Sequence, residues 1–221
     1  MYILGMLRPF RFSGLDITSL IIRAVVVLLA ISVHEMAHGF VAYKLGDPTA
    51  KSMGRLSLNP LKHLDPIGAI CMLLFGFGWA KPVMVNPYYF KNIKRDTALV
   101  SLGGPLSNFI LAFIGIAVYK ILIVCNTPLN AFTNIVVVFL ANFIYLNIGL
   151  GTFNLLPIPP LDGSKIFLPL LPKRLYYDIM QYERLGWLVL VAALSTGVLT
   201  PILSTVQQAL LTAMTFLVGG L

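Results

Sequence analysis

Three stretches of this chain run for more than 25 residues with at most one charged side chain. Residues 97–124 contain only Lys120, and residues 132–157 and 185–221 contain none. About 20 predominantly apolar residues are enough for a helix to cross the hydrocarbon core of a bilayer. Of all 221 residues, 58% are hydrophobic and 11% are charged, whereas soluble domains have about 25% charged residues. These values exclude a water-soluble globular protein and predict a membrane protein.

The apolar pattern predicts an all-α polytopic membrane protein in which residues 1–221 form a single membrane-embedded domain. About five transmembrane helices are expected, over residues 16–44, 97–124 and 132–157 and, as a two-helix hairpin, over residues 185–221. Gly197 and Pro201 mark the turn of that hairpin. The stretch before Arg8 is too short for a secretory signal, so we expect the chain to keep its first membrane segment.

A further apolar run lies in the region 64–96 and is too short for an ordinary span. It covers residues 66–80 and carries three glycines, which favour irregular backbone. If this run does not cross, twelve of the sixteen Lys and Arg residues lie on one face, which the positive-inside rule makes cytoplasmic. Region 64–96 is therefore predicted to contain a re-entrant loop, in a multi-pass protein of the cell membrane.

A metal-binding pattern, HEMAHG, begins at His34 in the inner half of the first predicted span. His34 and His38 are four residues apart, so their imidazoles lie on one helical face and can bind one metal ion. Glu35 lies about 100° around the same turn, where it can reach a water molecule at the metal without binding the metal itself. Ionisable residues inside a span are costly and are presumed functional, so a metal site is favoured over a chance match.

Two histidines do not complete a catalytic zinc site, which usually has three protein ligands. Asp162 follows the third predicted span, where three prolines end the helix and Gly163 permits a tight turn. That span ends on the same side of the membrane as the turn that carries the two histidines, so Asp162 can reach the metal. The alternative for Asp162 is an ordinary turn-forming Asp-Gly pair.

Taken together, these motifs resemble those of the site-2 protease family of intramembrane zinc metalloproteases. The resemblance rests on HEMAHG at 34–39, GGPLSN at 103–108 and NLLPIPPLDG at 154–163. Two further stretches, 55–68 and 78–87, are similar to those of compact bacterial and archaeal members. The motifs follow the family's order over more than half of the chain, and they imply a compact form without a PDZ or regulatory domain.

The resemblance implies a zinc metalloendopeptidase that cuts transmembrane or membrane-proximal substrates within the bilayer. It implies that His34, His38 and Asp162 bind one Zn²⁺ between the first and third spanning helices, toward the cytoplasmic side. A zinc-activated water would then attack the peptide bond, with Glu35 as the general base. Asn154 is implied near the substrate, and the alternative for this residue is an Asn bonded to neighbouring backbone.

Two functions of other classes are open to a chain with this pattern. An intramembrane metal transporter also uses buried His and acidic residues, although no internal repeat of the kind common in transporters is visible. A non-catalytic membrane scaffold could keep the zinc site.

The expected partners are a membrane protein or peptide substrate and the lipid bilayer, with no nucleic acid. A homo-oligomer or a regulatory membrane partner is left open. Asn108 is expected in helix packing, and His63 on the surface or behind the ligands.

Overall fold

The fold is built from helices. The computed structural model describes residues 17–63, 65, 68, 81–128, 130–172, 174–175 and 183–219. The α-helices in this part of the chain are α1 (Ile17–Lys44), α2 (Thr49–Ser52), α3 (Ile93–Val124), α4 (Ala131–Asn154), α5 (Asp162–Phe167), α6 (Glu183–Ser195) and α7 (Leu199–Leu217). Short 3₁₀ turns cover Pro60–Lys62, Pro87–Tyr89 and Leu168–Leu170. None of the described residues is in a β-strand, so the predicted all-α class is confirmed.

Three of these helices, α1, α3 and α4, are long and apolar enough to cross a membrane. The predicted number of five spans is not confirmed. In place of an antiparallel hairpin, α6 and α7 meet at a bend of 82°, and counting this bent pair as one span gives four. Residues 64, 66–67 and 69–80 lie outside the described part, so the re-entrant loop stays a prediction.

Polar caps fix where two of the spanning helices begin. α3 begins at Ile93, four residues before the predicted start, because the Asn92 side chain accepts a hydrogen bond from the Arg95 N–H. Asn130 and Thr133 form a capping box at the start of α4. The charged first turn of α3 is therefore part of the helix, although hydropathy alone excluded it from the span.

The three long helices pack together as a bundle in which each contacts the other two. Buried Ala112 and Ile116 of α3 pack against Ile144 and Ile148 of α4, and α7 adds partly buried side chains to this core. Because successive spans alternate in direction, α1 and α4 both end on the side where α3 begins. This arrangement brings the HEMAHG turn of α1 and the end of α4 to one level.

The C-terminal helices pack against the loop that follows α4. Leu161 forms a buried apolar cluster with Leu190 of α6 and Leu199 of α7. Gly186 approaches the loop so closely that an added Cβ would lie 2.5 Å from the Pro159 carbonyl oxygen. α6 and α7 therefore support the segment that leads into Asp162.

Candidate metal centre

Two histidines of α1 and the first residue of α5 meet at one point. The Nε2 atoms of His34 and His38 are 3.0 Å apart. Asp162 Oδ2 lies 3.1 Å from His34 Nε2 and 3.2 Å from His38 Nε2. Both histidines are buried, and the Asp162 side chain is 15% exposed. The structure thus brings together the three predicted ligands in a group that could hold a metal ion.

The size of this triangle fits a small tetrahedral cation. Zinc bonds of about 2.0–2.1 Å to imidazole nitrogen and carboxylate oxygen place neighbouring ligand atoms about 3.3 Å apart. The three observed separations of 3.0, 3.1 and 3.2 Å are close to that value. Lone pairs that face one another at such short range repel unless a cation or a proton lies between them. The residues present therefore suit zinc in the number, type and spacing of their ligand atoms.

The second nitrogen of each imidazole is bonded to α3. His34 Nδ1–H donates to Asn108 Oδ1 at 2.6 Å, and His38 Nδ1–H donates to the Val100 carbonyl at 2.7 Å. Metal-binding histidines usually donate their second N–H to such an acceptor, which fixes the ring and its tautomer. Both Nε2 lone pairs are then directed at the point that Asp162 also faces. α3 therefore orients both imidazoles.

α3 can approach the imidazoles this closely because Gly104 has no side chain. A Cβ added to Gly104 would lie 2.5 Å from His34 Nε2 and 2.5 Å from His38 Nε2. Pro105 follows inside the helix, where it has no N–H to donate to the Ser101 carbonyl. The missing side chain of Gly104 thus lets one turn of α3 lie against the histidines.

Asp162 reaches the site through a tight turn at the end of α4. A Cβ added to Gly163 would lie 2.2 Å from the Leu155 carbonyl oxygen, so no side chain fits where α5 folds back against α4. Burial raises the pKa of the Asp162 carboxyl, but in the metal-free protein His34 and His38 lower it by more when their Nε2 atoms are protonated, through hydrogen bonds and favourable charge, and the pKa lies well below its usual range. The carboxyl group is therefore ionised, as a metal ligand must be.

Glu35 is held by a non-helical stretch, residues 81–86, that lies beside α1. The Val83 N–H donates to Glu35 Oε2 at 2.8 Å. The stretch is fixed at both ends, because the Lys81 N–H donates to the His63 carbonyl at 2.9 Å and the Asn86 N–H donates to Asp47 Oδ2 at 2.7 Å. Asp47 is fully buried. The carboxylate of Glu35, the residue next to His34 in α1, is thus held by the stretch 81–86.

Three other polar residues were singled out in the sequence, and one of them, Asn108, bonds a proposed ligand directly. Asn154 Nδ2 donates to the Leu150 carbonyl of its own helix at 3.0 Å, so its role at the substrate stays a prediction. His63 is buried rather than on the surface, and its Nε2–H donates to the Ser57 carbonyl at 2.8 Å. Asn108 does pack between helices, but it also bonds His34 directly. A signal for this bond was present in GGPLSN, where Gly104 and Asn108 are four residues apart and share one helical face.

Comparisons with known proteins identify the family to which this chain is similar. The sequence profile of peptidase family M50 matches residues 120–194. The chain is 41% identical over 206 residues to "Putative zinc metalloprotease YwhC" of Bacillus subtilis, a match that covers 91% of this chain and 94% of that protein. It is 31% identical over 158 residues to "Putative zinc metalloprotease MJ0611" of Methanocaldococcus jannaschii, covering 71% of this chain and 74% of the relative. No solved structure gives a significant match.

A relative with lower sequence identity is also named as a zinc metalloprotease. "Putative zinc metalloprotease Rip2" of Mycolicibacterium smegmatis is 28% identical over 198 residues, covering 87% of this chain and 72% of the relative. The match to the Bacillus protein spans nearly the whole of both chains, so the similarity extends well beyond the short motifs. The chain therefore belongs to the site-2 protease family, peptidase family M50, and is a zinc metalloprotease with the apolar helices of a multi-pass membrane protein.

Proposed function

We propose that this protein is an intramembrane zinc metalloendopeptidase that hydrolyses peptide bonds of transmembrane or membrane-proximal substrates. The observation that carries the proposal is the cluster of His34, His38 and Asp162 within a bundle of helices apolar enough to span a membrane. His38 lies six residues before Lys44 at the end of α1, which is about 9 Å along the helix. The reaction would therefore take place below the lipid surface.

Each residue of the site has a separate role in the proposed reaction. His34, His38 and Asp162 would hold one Zn²⁺. When bound, zinc lowers the pKa of a water molecule in the site to about 7 and polarises the scissile carbonyl. Glu35 takes the proton from the attacking water and passes it to the leaving amine. The bond from the Val83 N–H to Glu35 supports this role because it keeps the carboxylate in place.

The stretch 81–86 is the part of the chain that we assign to the substrate backbone. It lies beside Glu35 without helical structure, and its Met84 side chain is exposed. An extended peptide can pair with such a stretch through main-chain hydrogen bonds. A helical substrate has its scissile carbonyl bonded within the helix, so it must unwind first, and helix-breaking residues are expected near the cut. Asn154 is proposed to contact the same peptide.

We place the metal centre toward the cytoplasmic side of the cell membrane. Lys44 ends α1, and Lys94 and Arg95 lie in the first turn of α3, so both helix ends nearest the metal centre carry basic residues. Basic residues collect on the cytoplasmic side of membrane proteins. Reporter tags or cysteine labelling on either side of α3 would test this orientation.

Glu35→Gln is the variant that tests the proposed reaction. The amide keeps the size of the side chain but cannot accept a proton from water. We expect cleavage of a single-span reporter peptide in proteoliposomes to fall at least about 100-fold, with the zinc content unchanged. The matched control is Glu183→Gln, which makes the same change at the chain's other glutamate and should leave the rate of cleavage unaltered.

Other outcomes of the same assay would favour the other functions. Equal cleavage by Glu35→Gln and the wild type would show that Glu35 is not the general base. Absence of cleavage in all variants, combined with zinc flux across the vesicle membrane, would instead favour a metal transporter. Comparing the membrane proteomes of cells that carry the wild type or Glu35→Gln would then identify uncut substrates.

A further inference from the structure

Two asparagines connect His34 to a helix that contributes no ligand of its own. Asn108 of α3 and Asn147 of α4 are both fully buried. Asn108 Nδ2 donates to Asn147 Oδ1 at 2.8 Å, and Asn147 Nδ2 donates to the Phe143 carbonyl at 2.8 Å. With the bond from His34 Nδ1–H to Asn108 Oδ1 at 2.6 Å, these contacts form a continuous chain from the backbone of α4 to the imidazole.

The chain has one self-consistent direction. The Phe143 carbonyl can only accept a hydrogen bond, so the Asn147 atom facing it must be the amide nitrogen. The Asn147 oxygen then faces Asn108, and that contact requires the amide nitrogen of Asn108. The Asn108 oxygen is thereby directed at His34, whose Nδ1 must carry the proton. Each step fixes the next, and the last step leaves the His34 Nε2 lone pair directed at the metal centre.

We infer that Asn147 is a positioning residue that sets the tautomer of His34 by fixing the orientation of the Asn108 amide. This inference rests on the proposed role of His34 as a zinc ligand. It means that α4, as well as α1 and α3, helps to position that ligand. Within the described part of the chain Asn147 is the firmest contact of the Asn108 NH₂ group, because the other acceptor of that group, the Ala30 carbonyl, lies 3.4 Å away. An amide free to turn over would present its NH₂ group to His34 Nδ1 and favour the tautomer with a proton on Nε2, and a protonated Nε2 cannot bind zinc.

The energetic reason to keep two amides here is that each side-chain nitrogen and oxygen of the pair has a hydrogen-bond partner. A buried amide without a partner destabilises the protein, and inside a membrane-spanning bundle no bulk water is available to replace a lost partner. Removal of the Asn147 side chain therefore leaves the Asn108 amide without its acceptor. The disturbance is passed to His34 and so to the metal.

The experiment measures zinc affinity, by competition with a chromophoric chelator, for detergent-purified Asn147→Leu. We expect the affinity to fall by about 10-fold or more, as for other losses behind a metal-binding histidine. The matched control is Asn142→Leu on the same helix, because Asn142 Nδ2 makes the same kind of bond, to the Val138 carbonyl at 2.7 Å. The control variant should keep the wild-type affinity.

Two further variants separate positioning from helix packing. Asn147→Asp keeps an acceptor toward Asn108 and, as the neutral acid, can donate to Phe143, so it should restore most of the affinity lost in Asn147→Leu. Asn147→Ala removes the amide without adding bulk and replaces the leucine variant if that variant does not fold. The unfolding temperature of the zinc-free protein is measured in parallel, since a purely structural role would lower it without changing zinc affinity.

The outcomes distinguish this inference from the proposed function. Wild-type zinc affinity in Asn147→Leu, or an equal loss in Asn142→Leu, would overturn the role of Asn147. Asp162→Asn is measured in the same series. If Asp162→Asn loses zinc while Asn147→Leu keeps it, the inference about Asn147 fails and the ligand set stands. If Asp162→Asn keeps full zinc affinity, the proposed ligand set fails as well.

Discussion

Replacement of Gly104 by alanine tests whether α3 is shaped to fit the metal centre. The added Cβ would lie 2.5 Å from His34 Nε2 and from both Cε1 and Nε2 of His38. To reach an ordinary contact of 3.4 Å, these atoms must move away by about 0.9 Å, the difference between 3.4 and 2.5 Å. Zinc sites tolerate deviations of about 0.2 Å in ligand distance. We therefore expect zinc affinity to fall at least about 100-fold.

The same substitution should leave the fold intact. Alanine favours a helix over glycine by about 1 kcal/mol, whereas overpacking of a tight site costs about 1–3 kcal/mol. The free energy of unfolding of the zinc-free protein should therefore change by no more than about 2 kcal/mol. Loss of zinc without loss of fold is the result that distinguishes a shaped metal centre from general helix packing.

Zinc content by elemental analysis and zinc affinity by chelator competition are the measurements. The matched control is Gly149→Ala in α4, where the added Cβ would contact Gln207 Nε2 at an ordinary 3.6 Å and no other described residue. This control makes the same change in a spanning helix and should bind zinc like the wild type. Zinc binding by Gly104→Ala at wild-type affinity would refute the steric argument.

Two further substitutions test separate parts of the site. Asp162→Asn keeps the shape of the side chain but removes its charge, so zinc occupancy should fall sharply, and unchanged zinc content by elemental analysis would remove Asp162 from the ligand set. Asp47→Asn should leave either the Thr49 N–H or the Asn86 N–H without its acceptor, at a cost of about 1–3 kcal/mol in the free energy of unfolding. Cleavage should slow while zinc content stays constant, and loss of zinc would contradict a role confined to the stretch 81–86.

The parts of the site that the sequence predicted are those whose signal is local or topological. His34 and His38 are one helical turn apart, so their spacing alone predicts a shared metal ion. Asp162 could be placed from the direction of the spans, because the first and third spans end on the same side of the membrane. The structure brings the three side chains together as that topology requires.

The parts that the sequence did not predict act without a distinctive side chain or across two helices. Gly104 matters because it has no side chain, and Val100 acts through its backbone carbonyl, a group that every residue has. Asn147 matters only because Asn108 of another helix faces it, and no periodicity along one helix reveals such a pair. The bend between α6 and α7 could not be predicted from the sequence either, because hydropathy gives the length of an apolar run and not the direction of the helices within it.

The distance along the chain between the proposed ligands has a further consequence. His34 and Asp162 are 128 positions apart, so an ion bound by both would close a loop of more than half the polypeptide, much as a disulfide does. A cross-link of this kind stabilises the folded state most when the loop that it closes is long. We expect a cell starved of zinc to lose this cross-link along with the activity, and the loosened chain to become a target for membrane quality control.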